Sequence, residues 1–173
     1  MNDGKTAKTM SEELLELRRR VDVLEAREAV SRFMYHWGYT ADQVELTNSR
    51  EKAEYLAHQL MTEDGVCDFS AIPGWMGVWG PEKKQIVENF LAFSQAIHWA
   101  YHIYPNAKID VNLEEDTAHY STYAEFVPLV LNGTVQLMFL TQNSYLRRVG
   151  GEWKMVKYQL SELRLMDLRV PHA

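Results

Sequence analysis

The chain has 173 residues, a formal net charge of −6 at pH 7 and a hydrophobic content of 46%. Its length suits one domain with a real core, and its acidic charge argues against nucleic acid, because phosphate binding needs clustered lysines and arginines. The single cysteine, Cys67, excludes an internal disulfide and is typical of a reducing compartment. No apolar run approaches the roughly 20 residues that span a bilayer. We therefore expect a cytoplasmic protein without a membrane partner.

A long helix is predicted after a flexible tail of residues 1–10. Thr9-Met10-Ser11-Glu12 matches a capping box, in which side chains satisfy the free amides at a helix start. From there to about Thr40, apolar residues recur three and four apart, first as Leu14, Leu17, Val21 and Leu24 and then as Ala29, Val30, Phe33 and Trp37. The aromatic second half is predicted to be buried. Two interpretations fit the first half: packing on a second subunit, or a lid over its own domain.

The middle of the chain mixes short elements. A charged helix is predicted over Ser49–Leu60, a turn at Thr62–Gly65 and a strand over Val66–Ser70. The segment from Ile72 to Gly80 contains three glycines, a proline and two tryptophans, which favours an irregular loop. Pro81 suits the first turn of another helix, whose apolar face consists of Ile86, Val87, Phe90, Leu91 and Ile97.

After Pro105 the pattern changes to that of strands, predicted over Lys108–Val111, Ala118–Leu131, Thr134–Val149 and Trp153 to about Leu165. Asn132-Gly133 and Gly150-Gly151 are strong hairpin signals between them. Helices first and an antiparallel meander afterwards indicate an α+β fold, in one domain over residues 11–173. A curved sheet around a long helix leaves a concave pocket, the usual place for a ligand.

Two aromatic segments carry the candidate catalytic groups. Asp42 follows the predicted end of the first helix, and His102 lies where a later helix gives way to a strand. If both ends meet at the pocket, the aspartate would fix the imidazole tautomer and raise its basicity. Imidazole, with a reference pKa of about 6.5, can take a proton near neutral pH.

Three features of the chain resemble the SnoaL-like branch of the nuclear transport factor 2-like superfamily, and especially its scytalone dehydratase group. The stretch from Glu28-Ala29-Val30 to Asp42, with Tyr35 and Trp37, has the spacing of the family's helix before its catalytic aspartate. His102 falls where the family has its catalytic histidine, and Asn106 follows at the spacing seen in hexachlorocyclohexane dehydrochlorinase. The segment 145–154 resembles the family's hairpin. The scytalone dehydratase group is itself similar to bile-acid 7α-dehydratase and to the dehydrochlorinase.

The resemblance implies a cone-shaped barrel, made of a curved, mixed but largely antiparallel sheet wrapped around the long N-terminal helix. It implies a lyase that needs no cofactor or metal, with His102 as general base and Asp42 as its orienting partner. The substrate would be a small, hydrophobic, ring-containing molecule that loses water, halide or a small carbonyl fragment. An isomerase or cyclase of the ketosteroid isomerase type, and a non-catalytic binding or scaffold module, are the alternatives. Related dehydratases imply a homo-oligomer, with a trimer favoured over a dimer, although dimers are common across the superfamily.

Several positions depart from the scytalone dehydratase pattern. Ala41 and Phe69 stand where that group has tyrosines, while Thr122 and Gln142 stand where it has a histidine and an asparagine. A scytalone-specific activity is therefore not expected. Tyr39 is a possible substitute for the lost hydroxyls. Together with Asp42 and His102, the predicted site comprises the substrate contacts Trp37, Tyr39, Phe69, Asn106, Thr122 and Gln142.

A metal site is the alternative use of the histidines. His98 and His102 are four residues apart, a spacing that can chelate a metal from one helix face, with His36, His119 or Asp42 as a conceivable third ligand. The family resemblance favours a metal-free mechanism instead. The aromatic set Trp37, Phe69, Trp75, Trp79, Trp99, Tyr101 and Tyr104 is predicted to supply core and pocket wall.

Overall fold

The computed structural model describes residues 9–72, 77–99, 102–130 and 135–168. Three helices occur in this part of the chain: α1 (Met10–Thr47), α2 (Arg50–Gln59) and α3 (Lys83–Ser94). Its strands are β1 (Met61–Asp68), β2 (Val78–Trp79), β3 (Ile97–Trp99), β4 (His102–Ile103), β5 (Lys108–Asn112), β6 (Thr117–Phe126), β7 (Leu129–Val130), β8 (Val135–Val149) and β9 (Glu152–Leu168). The predicted Asn132-Gly133 turn lies outside the described residues.

Helix α1 begins as predicted and ends later than predicted. The capping box is present, because the Thr9 side chain accepts from the Glu12 amide while the Glu12 carboxylate accepts from the Thr9 amide. The helix continues past Thr40 to Thr47 and stops at Asn48, which adopts a left-handed conformation with φ 49°. Asp42 therefore lies within the helix rather than after it, and residues three and four positions away share its face.

The sheet is mixed, and β8 and β9 are its longest strands, with 15 and 17 residues. Its order is β2-β1-β9-β8-β6-β4, with β5 on β6 and β7 joining β3 to β8. β1 and β9 run parallel, and the other recorded pairs are antiparallel. The Gly150-Gly151 hairpin forms as predicted, with φ values of 61° and 88° that favour glycine. Within the described part of the chain the sheet is an open curve with β2 and β4 at its edges.

Strand β1 starts five residues before its predicted start. The segment Thr62–Gly65, predicted as a turn, is a bulge within the strand, and the register with β9 shifts between Met61 and Val66. A side chain on Gly65 would lie 2.9 Å from the Thr62 carbonyl oxygen, so the bulge requires glycine there. The bulge keeps both ends of β1 paired with β9.

The core lies between α1 and the concave face of the sheet. The second half of α1 contributes the buried residues Ala26, Val30, Met34 and Trp37. Of the predicted set, Val30 and Trp37 are buried, while Ala29 and Phe33 are partly buried and pack against the core. The first half does not cover the domain, because its leucines are exposed. None of the described helices combines the length and apolar character needed to cross a membrane.

Candidate active site

A cavity of about 420 Å³, counted out to its mouth, lies between α1 and the sheet. Helix α1 supplies Trp37, Ala41 and Glu45, which are spaced four apart and form one stripe along the helix. The rest of the wall is mainly aromatic and comes from α3, the strands and the residue that follows β1: Phe69, Trp79, Phe90, Phe93, His102, Phe126, Leu140, Tyr158 and Leu160. The lining, mainly apolar with few polar groups, is typical of a site for a small apolar ligand.

The predicted pair Asp42 and His102 meets at this cavity. The Nδ1 atom of His102 lies 2.5 Å from Oδ1 of Asp42, and both side chains are largely buried. When the aspartate is ionised, it accepts a hydrogen bond from the N–H group at Nδ1. This arrangement leaves Nε2 as the basic nitrogen of the imidazole. The two residues come from α1 and β4, which are 60 positions apart in the chain.

Aromatic rings hold the imidazole of His102 on both sides. Its ring centroid lies 4.5 Å from that of Phe126 and 5.8 Å from that of Tyr104, both in stacked orientation. Burial lowers the pKa of His102, but the charge of Glu45 and the hydrogen bond and charge of Asp42 together outweigh it. The pKa of His102 is therefore raised above its usual value.

Glu45 is the polar residue of the cavity that the sequence analysis missed. It is 5% exposed, and its Oε2 atom is buried without a hydrogen-bond partner among the described residues. Burial raises the pKa of this carboxyl to about 7, and the charge of Asp42 acts in the same direction, while protonated His102 opposes both. Near neutral pH, Glu45 can therefore carry a proton beside the Asp42–His102 pair.

A hydrogen-bonded chain of side chains supports the other side of the cavity. Tyr104 hydrogen-bonds Tyr158, whose hydroxyl donates to Oε1 of Gln142 at 3.4 Å, and Nε2 of Gln142 donates to Ser144 at 3.0 Å. Burial raises the pKa of both tyrosines, so they remain neutral hydroxyl groups. Gly38 lets Tyr104 approach α1, because a Cβ on Gly38 would lie 2.9 Å from the Tyr104 ring.

Of the predicted substrate contacts, Trp37 and Phe69 line the cavity. Gln142 is buried and reaches it only through Tyr158. Thr122 is buried but donates to the backbone carbonyls of Pro105 and Tyr123, so its hydroxyl serves the fold.

Tyr39 and Asn106 are not brought to the cavity. The Tyr39 side chain is 54% exposed on the outer face of α1, and it therefore does not replace the hydroxyls absent at Ala41 and Phe69. Asn106 is exposed and adopts a left-handed conformation with φ 56°. It lines a shallow groove on the outside of β6 and β8. Both were predicted as substrate contacts, and the structure places neither of them in the lining of the cavity.

The histidines of the predicted metal set are dispersed. His36 hydrogen-bonds Tyr55 and His119 hydrogen-bonds Asn143, each at 3.1 Å. The side chain of His98, with those of Trp75, Trp99, Tyr101 and His172, lies outside the described residues. A different group of possible ligands forms at the cavity, where one ligand atom each from Asp42, Glu45 and His102 lies within 4.8 Å of the others.

Cys67 is fully buried in β1, and burial raises the pKa of its thiol. It therefore has the character of a core residue rather than a nucleophile, as the sequence predicts.

Comparison with solved structures shows what the chain is similar to. A candidate aromatic ring hydroxylase from Novosphingobium aromaticivorans shares 21% identity and a TM-score of 0.69, over 83% of this chain and 94% of that chain. A hexachlorocyclohexane dehydrochlorinase of type 3 from Novosphingobium barchaimii shares 18% identity and a TM-score of 0.68, over 89% and 97%. A candidate scytalone dehydratase from Novosphingobium aromaticivorans shares 18% and 0.63, over 95% of each chain.

These TM-scores show a common fold, and the predicted nuclear transport factor 2-like α+β class is confirmed. Comparison with curated protein sequences finds no significant match. The family model of the SnoaL-like domain matches residues 22–159, which include α1 from its middle onward and most of the sheet. The chain therefore belongs to the SnoaL-like domain family.

Proposed function

We propose that the chain is a lyase that uses no cofactor and acts on a small, hydrophobic, ring-containing molecule. The observation that carries the proposal is the hydrogen bond from His102 to Asp42 at the wall of an aromatic cavity. A carboxylate on Nδ1 holds the imidazole in the tautomer whose Nε2 accepts a proton. The names of the dehydrochlorinase and the dehydratase with this fold support elimination chemistry.

The proposed reaction moves one proton from carbon to the leaving group. Nε2 of His102 removes a proton from a carbon next to an activating group, and its electron pair forms a double bond as the bond to the leaving group breaks. Where the leaving group is hydroxyl, protonated Glu45 gives it a proton and it departs as water. The imidazolium then returns its proton to the Glu45 carboxylate, so the enzyme ends as it began.

The polar atoms of the cavity indicate a substrate that carries oxygen. Nε1 of Trp79 is buried without a partner among the described residues, although Trp79 lines the cavity. An indole N–H left unpaired in an apolar wall costs stability unless a ligand accepts from it. We therefore propose that the substrate is an otherwise flat, apolar ring compound with a hydroxyl or carbonyl oxygen that accepts from Trp79.

The test is turnover of hydroxylated, halogenated and diaryl ring compounds, followed by mass spectrometry with and without a chelator. Asp42→Asn and His102→Ala remove the two groups, and His119→Ala is the matched control, since His119 is also part-buried and hydrogen-bonded but lies elsewhere. We expect loss of a defined fragment with wild type and the control, unaffected by chelator, and at least a ~100-fold loss of rate in both site variants.

Each other result has a distinct meaning. A product of unchanged mass with the same variant dependence would replace elimination by isomerisation. Activity that disappears with chelator would assign Asp42, Glu45 and His102 to a metal, since their ligand atoms lie close enough together. Turnover that survives both site variants would refute the Asp42–His102 pair.

A further inference from the structure

The first half of α1 exposes a regular apolar seam that the catalytic site does not use. Its members are Met10, Leu14, Leu17, Val21 and Leu24, whose side chains are 43–78% exposed. Their spacing of four, three, four and three residues is that of the d and a positions of a heptad repeat, the pattern of coiled coils. Single exposed leucines need no explanation, but a continuous stripe of this period does.

The seam faces away from the chain's own domain. The face of α1 that contacts the domain includes part-buried Val23 and buried Ala26 and Val30, with Arg19 reaching Glu114 at 3.9 Å. At about 100° per residue, this face lies roughly 180° from the seam. The predicted lid over the chain's own domain is therefore not formed by these leucines, and a second helix can approach the seam without meeting the domain.

The charges beside the seam identify the occupant. With Leu17 and Leu24 at d positions, Glu13 and Arg20 are at g positions while Arg18 and Glu25 are at e positions. A parallel, in-register pair of identical helices places each g residue beside the e residue five positions later in the partner. Glu13 would then face Arg18 of the second copy and Arg20 would face Glu25, so both pairs attract.

We propose that the seam is the interface between two copies of this chain, joined as a parallel two-stranded coiled coil over residues 10–25. The a positions are Leu14 and Val21, and the β-branched Val21 between leucines at d favours two strands. This sets the arrangement apart from the trimer of related dehydratases. A free helix of this length is marginal in water. Here the helix is already fixed, because its second half is buried in the domain at Ala26, Val30 and Met34.

Sedimentation velocity of the full chain over a range of concentrations tests the seam. We expect wild type at twice the chain mass, and Leu17→Glu combined with Leu24→Glu at the monomer mass up to concentrations at least ~100-fold higher. Leu15→Glu is the matched control, because Leu15 is equally exposed but lies off the seam, and it should remain dimeric. Circular dichroism identifies any variant that fails to fold.

Charge reversal tests the orientation. Arg20→Glu alone places two carboxylates together at the pair with Glu25, and Glu25→Arg alone places two guanidinium groups together there. Each variant should therefore dimerise at least about tenfold more weakly than wild type. An equal mixture of the two should form heterodimers. There the glutamate introduced at position 20 of one chain faces the arginine introduced at position 25 of the other, and the unchanged Arg20 and Glu25 face each other, so both pairs attract, whereas in each homodimer both pairs repel.

The outcomes separate the proposal from its alternatives. Failure of the mixture to associate more strongly than either variant alone would overturn the parallel register. A wild-type monomer, a trimer, or a dimer insensitive to the leucine changes would overturn the proposal, whether or not the lyase activity is found.

Discussion

Replacement of Glu45 by glutamine removes a buried acid while keeping its shape. The folded-state pKa of Glu45 is about 7, above the reference value of 4.5, because burial and, to a smaller extent, the charge of Asp42 raise it by more than the charge of His102 lowers it. At pH values between these two pKa values, Glu45 is protonated in the folded chain and ionised in the unfolded chain. The free energy of unfolding therefore falls as pH rises through this window, by about 3 kcal/mol in total. Glutamine does not titrate, so the variant lacks this loss.

Urea unfolding of both proteins, followed by tryptophan fluorescence from about pH 4.5 to about pH 8, measures the effect. The difference in unfolding free energy, variant minus wild type, should increase by about 3 kcal/mol across the range. Glu28→Gln on the exposed face of α1 is the control for loss of a surface carboxylate. A difference that stays constant within about 1 kcal/mol, or that decreases with pH, would refute the interpretation of Glu45 as a buried proton donor.

The same variant has a signature in the pH dependence of turnover. Wild type needs neutral His102 and protonated Glu45, so kcat/KM should rise and then fall with pH, with limits that belong to the coupled pair. Glu45→Gln should lose the alkaline limit. An alkaline limit that persists in Glu45→Gln would refute Glu45 as the proton donor.

Three further substitutions test the supports of the site. Gly38→Ala places a methyl group 2.9 Å from the Tyr104 ring. We expect turnover to fall about 100-fold, because Tyr104 must move. The free energy of unfolding should not rise, although replacing glycine by alanine alone would add about 1 kcal/mol to the stability of a helix. Hydrogen bonds from Ser70 and Lys157 lower the pKa of Asp68 to about 2. This carboxylate therefore contributes about 2 kcal/mol to the free energy of unfolding above about pH 4, and the contribution is lost as pH falls through about 2. In urea unfolding, Asp68→Asn should lose that stability at neutral pH and show a shallower acid transition. Trp79→Phe should weaken binding of an oxygen-bearing substrate about fivefold in calorimetry and leave a substrate without that oxygen unaffected, because one neutral hydrogen bond contributes about 1 kcal/mol.

Patterns of hydrophobic spacing were sufficient to predict the major helices and the long hairpin of β8 and β9. They failed where tertiary contacts override local preference. Thr62–Gly65 has the composition of a turn, but pairing with β9 on both sides keeps it inside a strand. The end of α1 was predicted too early, because Gly38 and Thr40 weaken the helical pattern of the sequence. In the structure, burial of Val44 and Glu45 favours continuation of the helix to Thr47.

That boundary explains which site residues were found. Asp42 and His102 were predicted through family spacing, and they meet in the structure. Glu45 was missed because a position beyond a predicted helix end has no predictable face; once α1 is continued to Thr47, Glu45 lies one turn from Asp42. Tyr39 is the converse case, since it lies three residues before Asp42 but on the face that points to solvent.

The parallel pairing of β1 with β9 has a consequence for biosynthesis. This pairing joins Met61 to Met155 and Cys67 to Tyr158. Strand β1 can therefore pair with its longest neighbouring strand only after β9 has been synthesised. Until then the only described strand that pairs with β1 is the two-residue strand β2. Contacts this distant along the chain slow folding and leave a strand edge available for intermolecular association. Nascent chains that stall before β9 should therefore be the aggregation-prone species, which makes completion of the C-terminal hairpin the step that commits the polypeptide to its native state.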